Sequence, residues 1–270
     1  MAAVEVRPAT AAAGRRAWLV VTERELRDLW LAGRGLPLLF AYTVLLSVTS
    51  YLVAANQALN FLEQREAVSL TLQIAVAVGV LLVLLVAADA VSGERERGTL
   101  ESLLLTPVPR RVLIVGKGVA AMSLWVAAWA VSIPYIWYLG RGVGAVRVAV
   151  VSGLVVGSLL ALFLAAYGLI VSTLVRSNRL SLSVSLFALL ALYAPTQMPT
   201  AVQTSWIGDL LVRADPIAAG LRYLGRLIVN AHTPGQDAGW LVGPVVAAVA
   251  AAAVALAVGG QLTLRSGERS

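Results

Sequence analysis

The sequence predicts an all-α polytopic membrane protein with six transmembrane helices, and two observations carry this prediction. Hydrophobic residues make up 59% of the 270 residues and charged residues 13%, against roughly 45–50% and about 25% in soluble domains. Six stretches of 22 or more residues contain no Asp, Glu, Lys or Arg. Because about 20 apolar residues in a helix cross the hydrocarbon core, each stretch is long enough to span it.

The predicted helices occupy residues 36–55, 70–91, 118–139, 149–175, 180–194 and 240–262. The fifth is the shortest, since Pro195 and Pro199 end its apolar run. Its length is closer to that of a re-entrant or half-buried segment than to a full span.

Orientation follows from the positive residues, which concentrate on the cytoplasmic side of membrane proteins. With the N-terminus inside, 15 Lys and Arg residues fall on the cytoplasmic side and six on the other. Both termini are therefore predicted to be cytoplasmic. The chain then divides into a cytoplasmic segment (1–34), a transmembrane domain (35–264) with a cytoplasmic loop (92–117) and an outer helical region (195–237), and a cytoplasmic tail (265–270).

Composition excludes several kinds of site. The chain has no Cys, which rules out disulfides, thiolate metal sites and cysteine nucleophiles. A single histidine, His232, leaves little room for a histidine metal centre, and we expect no catalytic or metal site. The net charge of +7 is attributed to topology rather than to nucleic-acid binding.

An amphipathic segment precedes the first span. Leu19, Leu26, Leu29 and Trp30 can share one helical face, with Trp18 at its start, whereas Arg24, Glu25, Arg27 and Asp28 lie mostly elsewhere. Two Trp residues close to a span are typical of a helix lying in the membrane interface. The alternative is an ordinary solvated helix.

A second amphipathic stretch lies between the last two spans. Asp215 and Pro216 suit the cap and first residue of a helix. The apolar residues that follow at helical spacing are Ile217, Leu221, Leu224 and Ile228. We expect one or more short helices lying on the outer leaflet, which either wall off or gate an exit path or only cover the outer face of the bundle.

The cytoplasmic loop after the second span contains a short predicted helix. Gly98 can end the preceding helix, Thr99 can cap the next one, and Pro107 stops it. Leu100, Leu103 and Leu104 then share one face. A leucine face flanked by charges suits a groove in a soluble partner; the alternative is that it packs back under the bundle.

The string SGERERGTLESLLLTPVPR at residues 92–110, just after the second of six spans, resembles the permease subunits of ABC type 2 exporters. In that family two identical or related permease subunits form the pathway, and each receives a separate ATPase subunit. The resemblance implies that this loop is the coupling element. The residues it assigns to the ATPase interface are Glu94, Arg97, Gly98, Thr99, Leu100, Glu101, Leu103 and Leu104.

By the same resemblance, the helix carrying Trp18, Leu26, Leu29 and Trp30 is the interfacial connecting helix, in contact with membrane lipid. The resemblance also implies that the stretch after Pro195 forms the re-entrant helices of the outer leaflet. The chain itself lacks a P-loop: Arg111 and Gly118 occupy the positions around Gly116-Lys117 that the motif reserves for Gly and Ser or Thr. ATP and Mg²⁺ are therefore expected on the partner ATPase, and this chain is expected to bind no cofactor and to be no enzyme by itself.

The predicted function is that of a permease subunit of an ATP-driven exporter in a bacterial inner membrane. The alternative is a membrane anchor or scaffold that recruits a soluble partner without transport. The sequence identifies neither the substrate nor any residue that binds it.

Two further features leave alternatives open. Gly153 and Gly157 have the spacing that permits close helix approach, either between subunits or within one bundle. Asp89, at the cytoplasmic end of the second span, is expected to be hydrated or paired with a nearby Arg.

Overall fold

A computed structural model describes residues 10–31, 34–55, 61–100, 108–203 and 205–260, and all regular structure in these ranges is helical. The α-helices there are α1 (Thr10–Trp30), α2 (Gly35–Ala54), α3 (Phe61–Asp89), α4 (Ser92–Glu96), α5 (Arg110–Gly140), α6 (Val146–Leu174), α7 (Asn178–Tyr193), α8 (Thr200–Gln203), α9 (Trp206–Ala214), α10 (Pro216–Ile228) and α11 (Val242–Gly259). Short 3-10 turns occupy Arg141–Val143, Ala194–Gln197 and Ala238–Leu241.

Six helices in these ranges are long and apolar enough to cross a membrane, as the sequence predicts. They are α2, α3, α5, α6, α7 with the turn after it, and α11 with the turn before it. With its turn the fifth helix reaches 20 residues, the same length as the first. Its length therefore suffices for a full span, contrary to the shorter segment expected from Pro195.

Two of these helices begin earlier than predicted. α3 starts at Phe61 and α5 at Arg110, whereas the predicted starts are residues 70 and 118. The reason is that a charge-free run marks the hydrocarbon core, while a helix continues with charged residues into the interface. At α5, Pro109 has a φ of −58° and occupies the N-cap, which suits the start of a helix.

α3 and α6 pack against each other at the centre of the bundle, with α5 and α11 against α6. The indoles of Trp125 and Trp129 on α5 stack with ring centroids 5.5 Å apart. They lie against Gly157 and Gly153 on α6, where a Cβ would come within 2.2 and 2.4 Å of the rings. These glycines therefore serve packing within the bundle, which is one of the two alternatives left open by their spacing.

The second amphipathic stretch forms α10. The carboxylate of Asp215 accepts hydrogen bonds from the backbone N–H groups of Ile217 (2.8 Å) and Ala218 (2.9 Å), and Pro216 is the first helical residue. The predicted cap is therefore confirmed. The predicted apolar residues of α10 are all buried against the bundle, where the helix contacts α3 and α6.

Candidate functional site at the end of the second span

The short helix α4, which follows the second span, is tied to two other spans. Ser172 Oγ on α6 accepts hydrogen bonds from the backbone N–H groups of Val91 (3.0 Å) and Ser92 (2.9 Å). The hydroxyl of Ser92 donates to the carbonyl of Ala88 at 2.8 Å and to Asn178 Oδ1 at 3.0 Å. Because the first N–H groups of a helix lack intrahelical partners, the Ser172 hydroxyl fixes where α4 begins.

The charged side chains of α4 join the end of α6 to the start of α7. Arg95 donates to the backbone carbonyls of Val175 and Thr173, which are orphan acceptors at the C-terminus of α6. Glu96 Oε1 accepts from the backbone N–H of Asn178 at 2.7 Å and from Ser177 at 3.2 Å. These hydrogen bonds join α4 to both spans.

A buried ionic cluster connects α4 to α1 and α5. The ammonium group of Lys117 on α5 donates to Glu94 Oε1 at 2.6 Å and to both carboxylate oxygens of Glu25 at 3.1 Å. The Lys117 side chain is only 3% exposed. A buried charge needs partners to offset its desolvation, so these three side chains hold α1, α4 and α5 in one arrangement.

Burial of the cluster shifts the pKa of the Glu25 carboxyl upward. Desolvation raises its pKa, and the neighbouring Glu94 charge raises it further, whereas Lys117 and Arg24 lower it. The close packing of α1 on α5 explains the burial: a Cβ on Gly116 would lie 2.9 Å from Val21 Cγ1. The absence of a side chain at Gly116 therefore lets the two helices approach.

A second ionic cluster centres on Asp89 at the end of α3. Its carboxylate pairs with Arg34, accepts a hydrogen bond from Asn178 Nδ2 at 2.7 Å and lies 3.7 Å from Arg97 Nη1. The expected pairing of Asp89 with a nearby Arg is thus confirmed. Gly93 packs against it so closely that a Cβ would be 2.2 Å from Asp89 Oδ1.

The two clusters flank a cavity of about 700 Å³ between α1, α2, α3 and α7. Its apolar lining comes from Leu29, Pro37, Leu38, Leu85, Val86 and Leu182. Its charged lining comes from Arg24, Glu25, Asp28, Arg34, Asp89, Glu94, Arg97 and Lys117. A cavity lined by both kinds of side chain suits an amphipathic molecule.

The residues predicted for the coupling element fall into four groups. Glu94 is buried in the Lys117 cluster, whereas Arg97, Gly98 and Thr99 are exposed. Gly98 has a φ of +70°, the left-handed conformation that ends a helix, as predicted. Leu100 is half-buried and packs against the main apolar core. Glu101, Leu103 and Leu104 lie outside the described residues.

Of the residues predicted on the interfacial helix, some pack against the bundle and others are exposed. Leu29 is buried, and Leu26 and Trp30 pack beside it; Trp30 Nε1 also donates to Ser123 Oγ at 3.0 Å. Trp18 is 39% exposed and Leu19 is 57% exposed, so neither is enclosed by the bundle as Leu29 is. The residues of α1 that are buried against the bundle include Val21 and Glu25. In lipid, an apolar side chain gains nothing by facing protein rather than acyl chains.

The sequence analysis missed the two residues at the centre of this site. It grouped Glu25 with the solvated charges of α1, and it considered Lys117 only as a P-loop lysine. One signal was available: Lys117 is the only Lys of the chain and sits at the edge of a charge-free stretch. An ionisable residue at membrane depth is expected to have a charged partner.

The described residues contain no group of three or more His, Asp or Glu side chains that could hold a metal ion. Among curated proteins, none matches the chain. A family model described as "ABC-2 family transporter protein" matches residues 22–211, well over half of the chain.

Proposed function

Because the chain belongs to the ABC-2 transporter permease family, we propose that it is the membrane subunit of an ATP-driven exporter whose ATPase is a separate polypeptide. The described chain is a multi-pass membrane component with six candidate spans. ATP and Mg²⁺ bind the ATPase subunit in this proposal. The proposed location of the protein is a bacterial inner membrane, with both termini in the cytoplasm.

The observation that carries the proposal is the anchoring of α4. Through Glu94 it reaches Lys117 on α5 and Glu25 on α1, and through Arg95 and Glu96 it reaches α6 and α7. The exposed residues Arg97–Thr99 follow immediately. A partner that pushes on residues 97–104 therefore moves four helices together, which is what coupling of nucleotide hydrolysis to transport requires.

We assign α1 to the membrane interface. Trp18, Leu19 and Val20 on its first half are exposed and apolar, and charged residues such as Arg27 lie on the helix as well. An amphipathic helix of this kind rests in the boundary between acyl chains and headgroups. Glu25, on the second half of the helix, pairs with Lys117, so α1 links the interface to the coupling loop.

A second permease subunit completes the pathway in this proposal. α2 and α7 flank α3 and leave large apolar side chains exposed, among them Phe40 and Leu52 on α2 and Phe187 and Leu190 on α7. The cavity lies at the ends of these same helices. A second copy, or a related chain, packed against them would enclose the cavity between two subunits.

The lining of the cavity supports one class of substrate. Its apolar side chains accommodate a hydrophobic portion and its charged side chains a polar or ionic one. The proposed substrate is therefore an amphipathic or hydrophobic compound that enters from the cytoplasm or the inner leaflet and leaves outward.

The test is purification of the tagged chain from its native membranes in mild detergent, followed by mass spectrometry and an ATPase assay. A stoichiometric P-loop ATPase is the expected companion. Leu103→Asp is expected to release this ATPase, because a charge in a leucine face prevents docking in an apolar groove. The matched control is Leu31→Asp, at an exposed leucine on the same side of the bundle, which is expected to retain it.

Recovery of the folded chain without any nucleotide-binding partner would contradict the exporter and leave the scaffold as the better account. Retention of the ATPase by a well-folded Leu103→Asp protein would contradict the coupling assignment alone. ATP-dependent movement of a substrate in proteoliposomes separates the two functions directly, because a scaffold supports none.

A further inference from the structure

Three arginines converge on one tryptophan at the end of the bundle opposite the Lys117 cluster. The guanidinium carbons of Arg213 on α9 and of Arg222 and Arg226 on α10 lie 4.7, 5.1 and 5.2 Å from the centroid of the Trp240 ring. Trp240 is buried in the 3-10 turn that precedes α11. Each distance is within the range of a cation–π contact.

The carboxylates around these arginines balance only two of the three charges. Arg213 pairs with Asp209 at 2.7 Å and Arg226 with Asp237 at 2.8 Å. In the part of the chain that the structure describes, Arg222 has neither a hydrogen bond nor an ion pair, and its Nη1 is shielded from solvent without a partner. A shielded N–H group without an acceptor is costly. Because Arg222 as a whole is only half-buried, its guanidinium has room for an anion from outside the chain.

The neighbouring helix places this cluster beside lipid. α9 exposes Trp206, Ile207, Leu210 and Leu211, an apolar face on a helix that ends with Arg213. Such a helix rests at the boundary between acyl chains and headgroups, and tryptophan at the start of a span marks the same level. The three guanidinium groups therefore lie at the depth of lipid phosphates.

We propose that Arg213, Arg222 and Arg226, arranged around Trp240, bind a phosphate group, and that the headgroup of an anionic phospholipid in the adjoining leaflet supplies it. Guanidinium groups match phosphate oxygens with paired hydrogen bonds, and basic pockets between transmembrane helices bind anionic headgroups. The acyl chains would lie along the exposed face of α9. This site is separate from the coupling loop and does not depend on it.

The test uses the full chain, purified in dodecyl maltoside with its co-purifying partners and titrated with dioctanoyl phosphatidylglycerol. Native mass spectrometry measures the bound lipid. We expect Arg222→Gln to weaken binding about tenfold, the effect of losing one charge-assisted pair. The matched control is Arg141→Gln, which removes another guanidinium stacked on aromatic rings, those of Trp137 and Tyr138, and is expected to leave binding unchanged.

Equal lipid binding by the wild type and Arg222→Gln overturns the proposal, as does an equal loss in Arg141→Gln. If the Gln variant fails to fold, Arg222→Lys replaces it. Lysine keeps the positive charge but lacks the paired donors of arginine, so a loss of lipid binding that is smaller than tenfold supports phosphate recognition. A parallel titration with sodium phosphate identifies the source. Binding of the free ion with the same dependence on Arg222, and none of the lipid, keeps the phosphate site and assigns it to inorganic phosphate.

Discussion

Lys117 and Glu94 are 23 residues apart in the chain, and the ammonium nitrogen of one lies 2.6 Å from a carboxylate oxygen of the other in a place shielded from solvent. Glu25 supplies the second carboxylate. The interaction joins the start of the loop after the second span to the N-terminal helix and to the third span. Its removal therefore tests how far the three elements depend on one another.

Lys117→Met is expected to destabilise the protein by about 3–5 kcal/mol, because it leaves Glu25 and Glu94 buried without a counter-charge. Thermal unfolding in nanodiscs measures the effect. The matched control is Arg27→Met: Arg27 also contacts a carboxylate at 2.6 Å, that of Glu23, but the pair is exposed and its loss is expected to cost less than about 1 kcal/mol.

A triple variant separates the ion pair from the packing around it. Lys117→Met with Glu25→Gln and Glu94→Gln removes all three charges, and replacement of a whole buried ionic group is often nearly neutral. We expect the triple variant to recover most of the stability lost by Lys117→Met. A Lys117→Met protein as stable as Arg27→Met would contradict the structural role of the cluster.

The raised pKa of Glu25 predicts a pH dependence. Because burial raises the pKa of Glu25 above its ordinary value of 4.5, the folded protein holds this proton more tightly than the unfolded chain does. Its contribution therefore favours folding below the unfolded-state pKa and is lost as pH rises through the folded-state value. Glu25→Gln abolishes this loss, so its unfolding temperature is expected to rise relative to wild type as pH increases above 4.5.

The same series with Glu23→Gln provides the control. Glu23 lies on the same helix, but its side chain is exposed and paired only with Arg27 among the described residues. Its variant is expected to follow the wild type across the pH range. A constant difference between Glu25→Gln and wild type would contradict the raised pKa.

The sequence predicts much of the bundle because a lipid environment demands long uncharged helices, and such runs are visible without any contact information. The cap formed by Asp215 and Pro216 was equally local: a side chain two or three residues from its partners needs no tertiary structure. Glu25 and Lys117, by contrast, are 92 residues apart in the chain. No local pattern of apolar and polar residues predicts that they pair.

The face of α1 that packs on the bundle is a second feature that the local sequence does not reveal. In water an apolar stripe identifies the side of a helix that packs on protein, because water penalises its exposure. At a membrane the same stripe is equally satisfied by acyl chains. Leu29 is buried against the bundle whereas Leu19 is exposed, and the contacts that complete the buried face, Glu25 with Lys117 and Val21 with Gly116, join distant parts of the chain.

The contact of Gly157 with Trp125 predicts a size limit. A Cβ at Gly157 would lie 2.2 Å from the buried indole, so Gly157→Ala is expected to cost about 1–3 kcal/mol through overpacking. The control is Gly118→Ala on α5, where a Cβ would meet Leu169 Cδ1 at an ordinary van der Waals distance of 3.6 Å. That variant is expected to be neutral or stabilising by up to about 1 kcal/mol, the helix preference of Ala over Gly. Thermal unfolding measures the stability of both variants. Equal stabilities of Gly157→Ala and Gly118→Ala would contradict the tight packing at Gly157.

The topology is testable because the chain contains no Cys, which makes single-cysteine variants unambiguous. Arg27→Cys and Thr233→Cys introduce thiols at exposed positions on opposite ends of the bundle. If both termini are cytoplasmic, a membrane-impermeant maleimide added to intact cells labels Thr233→Cys alone, and it labels Arg27→Cys only after the membrane is permeabilised. Leu46→Cys, at a fully buried position, is expected to stay unlabelled in both conditions, so labelling of this variant would report unfolding.

The reverse pattern, with Arg27→Cys labelled in intact cells, would contradict the proposed topology. It would place the proposed coupling loop on the wrong side for an intracellular ATPase and exclude the exporter as proposed.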